Sequence, residues 1–325
     1  MFTVVVTDDR YNGNYRDEEA ELAKVDARLV VQNLGSEEEA RRALATADGV
    51  LVNLFPLGER VIQSLQRCRV ISRYGVGYDN VDVGAATRKG IWVTRVPDYS
   101  LEEVSDQALA LLMACVRKVA YKDRGIRAGK WNIHKDQPTH RMVGGTMGLV
   151  GYGAIARCFH RKIAGLGFGR ILVHDPYVRP EVLKTAGCVP ADLRTLVSQS
   201  DFISVHVPLS PDTRGMIGAH EIAAMKKGAI LVNTSRGPVV DEKALAAGLR
   251  EGRLAGAGLD VFEVEPLPLD SPLRALENVV LSDHAGWYSE ESITELKIKA
   301  ARNVAAVLSG GRPIYPVNDV VPAGP

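Results

Sequence analysis

The sequence is poor in cysteine, and its four cysteines form no CxxC pair. Such wide spacing argues against a structural zinc site and against a redox motif, so we predict no metal site. The expected state of these thiols is reduced and partly buried. The four residues are Cys68, Cys115, Cys158 and Cys188.

The chain also lacks an excess of either charge and lacks long apolar runs. Because 40 Lys and Arg residues balance 39 Asp and Glu residues, no surplus positive charge can hold a polyanion, and we expect no nucleic-acid partner. No stretch approaches the roughly 18 apolar residues of a membrane-spanning helix, so no membrane association is expected. The start, MFTVVVTDDR, has no basic leader and is interpreted as a first strand rather than a signal peptide. The expected location is the cytoplasm.

What the sequence does contain is an alternation of apolar, strand-like runs with helical patterns. The runs are TVVV, ARLVVQ, GVLVNLF, RVISR and IWVTR, then GTMGLV, RILVH, DFISVHV, AILVN, GAGLDV and NVVLS. Alternation of this kind predicts parallel sheets, and 325 residues exceed the roughly 250 to 300 at which single cores stop growing. We predict an α/β fold with two doubly wound parallel-sheet domains. One comprises residues 1–98 and 289–325, because a short C-terminal tail is expected to pack on the first domain, and the other comprises residues 99–288.

Three helices are predicted to begin directly after a serine. Two of these serines, at positions 36 and 100, are followed three residues later by glutamate, which is the capping-box pattern. The predicted helices run from Ser36 to Asp48, from Ser100 to about Arg127 and from Ser289 to Leu308. The polar segment 131–141 is predicted to be a loop.

The most informative motif is LVGYGAIA, residues 149–156. Gly151 permits a tight strand-to-helix turn, Gly153 lets a pyrophosphate approach bare backbone, and the small Ala156 lets the helix pack on the strand. The helix N-terminus then offers free amide donors to phosphates. Asp175 follows Gly151 by 24 residues, at the end of the next strand, where ribose hydroxyls need an acceptor. The motif predicts dinucleotide binding, and the aspartate favours NAD over NADP, although Arg179 lies nearby.

Three strand ends in the second half carry residues suited to one reaction. AILVN leads to Arg236, GAGLDV leads to Glu263 and Glu265, and NVVLS leads to His284. Ligands of open α/β sheets bind beyond the carboxyl ends of the strands, so these side chains are expected to converge. Imidazole can protonate the oxyanion that forms when a hydride reaches a ketone. A neighbouring carboxylate favours the protonated imidazole. The planar guanidinium of arginine matches the carboxylate of a substrate. These groups predict a 2-keto acid substrate.

With these motifs, the chain resembles the D-isomer-specific 2-hydroxyacid dehydrogenase family. The similarity runs through RYGVGYDNVD, VPDYSLEEVSDQALAL, GLVGYGAIA, LVNTSRGPVVDEKAL, GAGLDVFEVEPL and HAGWYSEES, and it most resembles the branch that includes the C-terminal-binding proteins. It implies a Rossmann NAD-binding domain inserted into a flavodoxin-like substrate domain. It also implies that Arg236, Glu265 and His284 are catalytic, with Glu263 only a neighbour.

The resemblance extends to the ligand contacts. The cofactor-binding residues it implies, together with the glycine motif, are Gly151, Tyr152, Gly153, Ala154, Ile155, Asp175, Val207, Pro208, Thr213, Asn233, Thr234, Ser235, Arg236, Asp260 and His284. The substrate-binding residues it implies are Tyr74, Gly75, Val76, Gly77, Arg236 and Trp287. Backbone amides of residues 74–77 would hold the substrate carboxylate, and Asp260 would contact the nicotinamide amide.

Two positions depart from the family pattern, and one segment bears on the substrate. Asp283 stands where the family usually has proline, and Gln107 stands where relatives often carry histidine.

Residues 53–57, NLFPL, are mostly apolar, which favours an uncharged substrate tail, while a core role for Phe55 and Leu57 stays open. Trp287 is expected to line the pocket or, alternatively, to lie in a core or an interface.

Two classes of function remain in view. The favoured one is an NAD-dependent oxidoreductase acting on D-2-hydroxy acids and 2-keto acids, and the alternative is an NAD-sensing co-repressor-like binding protein. The chain ends soon after PVND without a long tail, which favours the enzyme. A formate or phosphite dehydrogenase of similar fold is less well supported. A homodimer is predicted, because the helical run 108–116 is more apolar than one buried face requires.

Overall fold

A computed structural model describes residues 1–131 and 138–320 of the chain. The predicted loop at 131–141 therefore lies partly outside the described residues. The chain divides into two compact units, unit 1 comprising Met1–Ser100 with Ser289–Pro325 and unit 2 comprising Leu101–Tyr288. This division lies two residues beyond the boundary expected from the sequence, because a helix begins at Leu101.

The helices and strands follow the apolar runs of the sequence. Unit 1 contains strands β1 (Phe2–Val6), β2 (Ala27–Val31), β3 (Gly49–Val52), β4 (Val70–Arg73) and β5 (Trp92–Thr94), and helices α1 (Arg16–Ala23), α2 (Glu37–Ala43), α3 (Glu59–Ser64), α4 (Val83–Arg88) and α12 (Glu290–Leu308). Unit 2 contains strands β6 (Thr146–Val150), β7 (Arg170–His174), β8 (Val189–Pro190), β9 (Phe202–Val205), β10 (Ala229–Asn233), β11 (Leu254–Leu259) and β12 (Val279–Leu281). Its helices are α5 (Leu101–Arg117), α6 (Val119–Arg127), α7 (Ala154–Ile163), α8 (Pro180–Thr185), α9 (Leu193–Gln199), α10 (Ala219–Ala224) and α11 (Glu242–Arg250), with 3₁₀ turns at Ala164–Leu166, Gly237–Val239 and Pro272–Ala275.

Unit 1 is built on a parallel sheet in the order β2-β1-β3-β4-β5. The central strand β3 is buried along its whole length, as expected for a parallel strand covered by helices on both faces. Helix α12, from the C-terminal segment, packs on β4 and on α1, and a Cβ at Gly49 would lie 3.0 Å from Val304 on α12. The order is that of flavodoxin-like folds, and both ends of the chain contribute to this unit.

Unit 2 is built on a second parallel sheet, in the order β12-β11-β10-β9-β6-β7-β8. From β8 to β12 this is the Rossmann order, and it reverses between β6 and β9, where Val150 pairs with Val205. Ligands of such sheets bind outside the carboxyl ends of the strands at this reversal. The two-residue edge strand β8 was not predicted, because so short a run carries no periodic signal and ends in proline.

Two predicted helices differ in detail from the structure. The helix expected to reach Arg127 without a break ends at Arg117, and Lys118, in the left-handed conformation (φ 54°), starts α6. At α2 the Ser36 side chain accepts from the Glu39 amide (3.2 Å), but the Glu39 carboxylate accepts from the Gly35 amide instead of completing a capping box with Ser36. Within the described part of the chain, no helix is both long enough and apolar enough to cross a membrane.

Candidate active site

The glycine turn after β6 lies at the reversal of strand order and has no room for side chains. Gly151 has φ +91°, which favours glycine, and its amide donates to the carbonyl of His174 (2.8 Å). A Cβ there would lie 2.9 Å from Cγ1 of Val207 and 3.0 Å from the carbonyl of His206. Glycine is therefore required for β6, β7 and the end of β9 to approach each other at this point.

Gly153 and the first turn of α7 form a place where an anion can approach backbone. A Cβ at Gly153 would have no heavy atom within 4 Å, so the space beside it is open. Gly153 is the N-cap residue of the ten-residue α7, and no side chain caps the helix at this residue. The amides of Ala154 and Ile155 belong to the first turn, whose donors have no partner within a helix. A helix N-terminus of this kind suits a phosphate, and the fully buried Ala156 shows why the third motif position is small.

Asp175 is fixed directly after β7 by two backbone amides. Its Oδ2 accepts from the amide of Tyr152 (2.8 Å) and its Oδ1 from the amide of Tyr177 (2.9 Å). Each carboxylate oxygen has a second lone pair, which leaves acceptor capacity for ribose hydroxyls. The ring of Tyr152 is buried, and its hydroxyl lies 2.8 Å from Nδ1 of His160. Burial, together with Cys188, raises the pKa of Tyr152 to about 12, so Tyr152 contributes its backbone to the turn and its ring to the core.

The loop after β9 is closed by Thr213. Its Oγ1 donates to the carbonyl of Pro208 (2.6 Å) and accepts from the amide of Ser210 (2.8 Å). Val207 packs against the glycine turn, as its closeness to Gly151 shows. This loop therefore borders the glycine motif, and its contact with the cofactor stays a prediction.

The turn after β10 is organised by Asn233, which is buried. Its Nδ2 donates to the carbonyl of Arg236 (3.0 Å), and its Oδ1 accepts from the amide (3.0 Å) and the hydroxyl (2.8 Å) of Ser235. The hydroxyl of Thr234 is buried, and it has no hydrogen-bond partner within residues 1–131 and 138–320. A buried hydroxyl of this kind is costly unless something else pairs with it, which suits a bound polar ligand.

Arg236 is held at the end of this turn, close to the end of β11. Its Nη1 donates to the carbonyl of Ser235 (2.9 Å). A Cβ at the following Gly237 would lie 1.8 Å from the carbonyl carbon of Phe262, so only glycine allows this approach. The same proximity lets the guanidinium act on Glu265, whose pKa it helps to lower.

Glu265 and His284 are paired. Nδ1 of His284 lies 2.7 Å from Oε2 of Glu265, and the amide of Phe262 donates to Oε1 (3.0 Å). Burial opposes ionisation of Glu265, but the hydrogen bond and charge of His284, the Phe262 amide and Arg236 together hold its pKa below the ordinary value. A carboxylate can only accept, so Nδ1 of His284 carries a hydrogen and Nε2 is the nitrogen available for proton transfer. Among the described strand-end residues, Glu265 and His284 are hydrogen-bonded to each other and Arg236 acts on the same carboxylate.

Asp260 and Trp287 make contacts that the sequence did not predict. Asp260, 2% exposed, accepts from the amides of Ala285 (3.1 Å) and Gly286 (2.9 Å) and so lies beneath the turn that carries His284. The Trp287 ring packs edge-to-face on Tyr288, with ring centroids 5.9 Å apart. The predicted contact of Asp260 with a nicotinamide amide stays a prediction, while its contacts with the histidine turn are observed.

In the expected substrate loop of unit 1, the amides of Tyr74 and Gly75 are already paired, with the carbonyls of Val52 (2.9 Å) and Arg73 (3.0 Å), so they are not free to hold a carboxylate as expected. The Tyr74 side chain is buried and its hydroxyl donates to Oε1 of Glu18 (2.9 Å). Gly75 has φ +137°, and a Cβ there would overlap the guanidinium of Arg73. In the part of the chain that the structure describes, the amides of Val76 and Gly77 donate no hydrogen bond. Free amides are suitable donors for a carboxylate.

Fold and site together define a dinucleotide-dependent oxidoreductase. The family profile described as D-isomer specific 2-hydroxyacid dehydrogenase, NAD binding domain, matches residues 109–286. A glyoxylate reductase of Korarchaeum cryptofilum is 44% identical over 280 residues, covering 83% of each chain. The structure of a glyoxylate reductase from Paecilomyes thermophila has a TM-score of 0.88 at 28% identity, covering 97% of this chain and 98% of that one. A D-lactate dehydrogenase of Aquifex aeolicus, complexed with NAD and lactic acid, has a TM-score of 0.83 at 27% identity, covering 95% and 96%.

The chain therefore belongs to the D-isomer-specific 2-hydroxyacid dehydrogenase family. It is an NAD-dependent oxidoreductase acting on CH–OH groups, which confirms the class and the cofactor predicted from the glycine motif and the strand ends. The closer resemblance to the C-terminal-binding-protein branch stays a prediction.

Proposed function

We propose that this chain interconverts small 2-keto acids and D-2-hydroxy acids, with His284 as the acid/base, Glu265 as its partner and Arg236 as the substrate clamp. The observation that carries the proposal is the 2.7 Å pairing of His284 with Glu265, with Arg236 close enough to lower the pKa of the same carboxylate. An ionised acid, an imidazole and a guanidinium are the groups that reduction of a 2-keto acid requires.

Each group has a distinct part in the reaction. Bound NADH supplies the hydride. Nε2 of His284 gives a proton to the carbonyl oxygen and takes it back in the oxidation. Glu265 holds the ring through the hydrogen bond to Nδ1. The guanidinium of Arg236 binds the substrate carboxylate and polarises the carbonyl, since its planar fork presents several donors at once.

The cofactor-binding residues are assigned from the fit of the site. The uncapped N-terminus of α7 and the open space at Gly153 suit the pyrophosphate, and Asp175 suits the ribose hydroxyls. The buried hydroxyl of Thr234 is proposed to pair with the cofactor. The segments 207–213 and 233–236 complete this assignment.

The substrate is proposed to be a small 2-keto acid with an uncharged tail. Relatives are named for glyoxylate and lactate, whose tail at the carbon next to the carboxylate is a hydrogen and a methyl group, respectively. Of the apolar residues at 53–57, Leu57 is fully buried in the core of unit 1 and Phe55 packs against that core, whereas Leu54 is half exposed. Leu54 and Pro56 are the exposed residues of this segment, and Leu54 is proposed to face the substrate tail. The amides of Val76 and Gly77 are the unit 1 groups proposed to bind the carboxylate.

An NADH-consumption assay tests the proposal. The loss of NADH absorbance would be followed with glyoxylate, hydroxypyruvate, pyruvate, phenylpyruvate and branched-chain keto acids. We expect turnover with at least one small member and, where its 2-hydroxy acid is chiral, oxidation of the D-isomer only. Tight NADH binding without turnover of any member would instead support the co-repressor-like alternative, which no contact within the described residues favours.

We also propose a homodimer, which forms through an exposed face of α6 rather than through the apolar run of α5. In α5 the predicted apolar run is largely used within unit 2, where Ala108, Leu111, Leu112 and Cys115 are buried. The neighbouring α6 exposes Val119 (55%) and Ile126 (53%). Light scattering at micromolar concentration would give twice the 35.2 kDa chain mass if this face pairs with a second copy, and a monomer would contradict the assignment.

A further inference from the structure

The turn that carries His284 is tied down on both sides of the histidine. Asp260 accepts from the Ser282 hydroxyl (2.6 Å to Oδ1), which precedes the histidine. It also accepts from the amides of Ala285 and Gly286, which follow it. One buried carboxylate therefore holds residues 282–286 by three hydrogen bonds.

His284 itself is in a conformation that needs such support. Its φ is +58°, in the left-handed region that a residue with a Cβ rarely adopts without constraint. Gly286 is equally constrained, because a Cβ there would lie 2.7 Å from Oδ2 of Asp260 and 3.2 Å from Cγ of Gln107. The imidazole reaches Glu265 only while this turn keeps its shape.

Gln107 is the second support of the turn, and it comes from a different element, α5. Its Nε2 donates to the Ser282 hydroxyl (2.8 Å) and lies 3.4 Å from Oδ1 of Asp260. The Ser282 hydroxyl thus accepts from Gln107 while it donates to Asp260. This connects the helix to the turn through one hydrogen-bonded bridge of three side chains.

We propose that Gln107 is a positioning residue for proton transfer: by holding Ser282 on Asp260 it fixes the turn that presents His284 to Glu265. The inference rests on the proposed catalytic role of His284. Gln107 touches neither Glu265 nor the imidazole in the contacts described, so it acts through Ser282 and Asp260. Its removal should change the turnover step more than cofactor binding.

Gln107→Leu keeps an apolar stem and removes the amide donor. We expect kcat for keto-acid reduction to fall about 10-fold, with NADH affinity within about twofold of the starting value. Gln107→His, which restores an N–H donor, should recover most of the loss. Asp106→Asn is the matched control, since this exposed neighbour on α5 pairs with Lys162 instead, and it should leave kcat unchanged.

Two further variants separate positioning from simple loss of packing. Ser282→Ala breaks the same bridge from the other side, so the double variant with Gln107→Leu should lose no more kcat than one single variant.

Gln107→Glu places a second carboxylate beside Asp260, and two neighbouring carboxylates retain one proton between them more readily than an isolated carboxylate does. Its kcat relative to the unmodified enzyme should therefore rise as pH falls, because the protonated form is again a donor.

Several results would overturn the inference. These are full kcat in Gln107→Leu, an equal loss in Asp106→Asn, additive losses in the double variant, or a loss of NADH affinity as large as that of kcat. If Gln107→Leu does not fold, Ser282→Ala gives the same measurement. Full turnover of a His284→Ala variant would refute the proposed function itself, whereas an inactive His284→Ala beside a fully active Gln107→Leu would refute this inference alone.

Discussion

Nδ1 of His284 lies 2.7 Å from Oε2 of Glu265, and the carboxylate is held ionised by its neighbours. The two side chains are about one third exposed, at 34% and 36%, so solvent reaches the pair and moderates its energy. The hydrogen bond holds the imidazole against the carboxylate through Nδ1 and leaves Nε2 for proton transfer.

Replacing Glu265 with glutamine tests whether the charge of this partner matters. Glutamine keeps the shape of the side chain and can accept a hydrogen bond from Nδ1 of His284, but it carries no charge. We expect the maximal rate of keto-acid reduction to fall about 10-fold or less, because the hydrogen bond is kept and only the charge is lost. Steady-state kcat/KM for the best keto acid measures this, and an unchanged value would show that Glu265 acts only by holding the ring.

Replacing His284 with alanine removes the proposed proton donor. The reduction rate should fall by about 100-fold to 10,000-fold, the usual contribution of a positioned acid, while NADH affinity stays nearly unchanged. His220→Ala is the matched control, because this exposed histidine pairs with Glu221 in the same unit. Steady-state rates and fluorescence titration with NADH give the two quantities. A variant that retained full turnover would show that another group transfers the proton.

Much of the fold could be predicted because buried parallel strands are continuous apolar runs, and the runs here coincide with the strands. The ends of those runs also located Arg236, Glu265 and His284, since the carboxyl ends of parallel strands share one edge of the sheet. The break between α5 and α6 could not be predicted. It has no glycine or proline, and its left-handed Lys118 donates to the carbonyl of Ala255, far along the chain (3.4 Å).

The supports of the site were equally inaccessible to sequence reasoning. Gln107 and Asp260 are 153 residues apart, and nothing local marks their meeting at Ser282. The left-handed φ of His284 could not be predicted either, because the residue is neither glycine nor asparagine, the types that usually indicate this conformation. Tyr152 and Tyr74 occupy motif positions, yet their side chains are committed to the cores. Contacts over long sequence separations decide these details, and they appear only in the folded chain.

Asp175 is expected to control the choice of cofactor. Asp175→Asn keeps the size of the side chain and removes its charge. The affinity for NADH should therefore fall about 10-fold, and the ratio of NADH affinity to NADPH affinity should decrease. Asp192→Asn is the matched control, because the Asp192 carboxylate only caps α9 by accepting from Thr195. Fluorescence titration with both cofactors decides the question. Unchanged discrimination would indicate that Arg179 or another group sets the preference.

His206 is expected to make stability fall in mild acid. It lies directly after β9, its Nε2 is 2.9 Å from the Ser204 hydroxyl, and burial lowers its pKa from 6.5 to about 4. Between these two values the unfolded chain binds a proton that the folded chain does not, so the free energy of unfolding decreases as pH falls through this window. The full shift corresponds to about 3 kcal/mol at most.

The His206→Gln variant isolates this contribution. Glutamine retains a polar group for Ser204 but does not titrate, so its unfolding free energy should depend less on pH than that of the unmodified protein between pH 6.5 and 4. Other groups titrate in both proteins and cancel in the difference. Urea unfolding followed by circular dichroism gives the two curves, with the exposed His220→Gln as control. Parallel curves would mean that His206 protonates in the folded chain as readily as in the unfolded one.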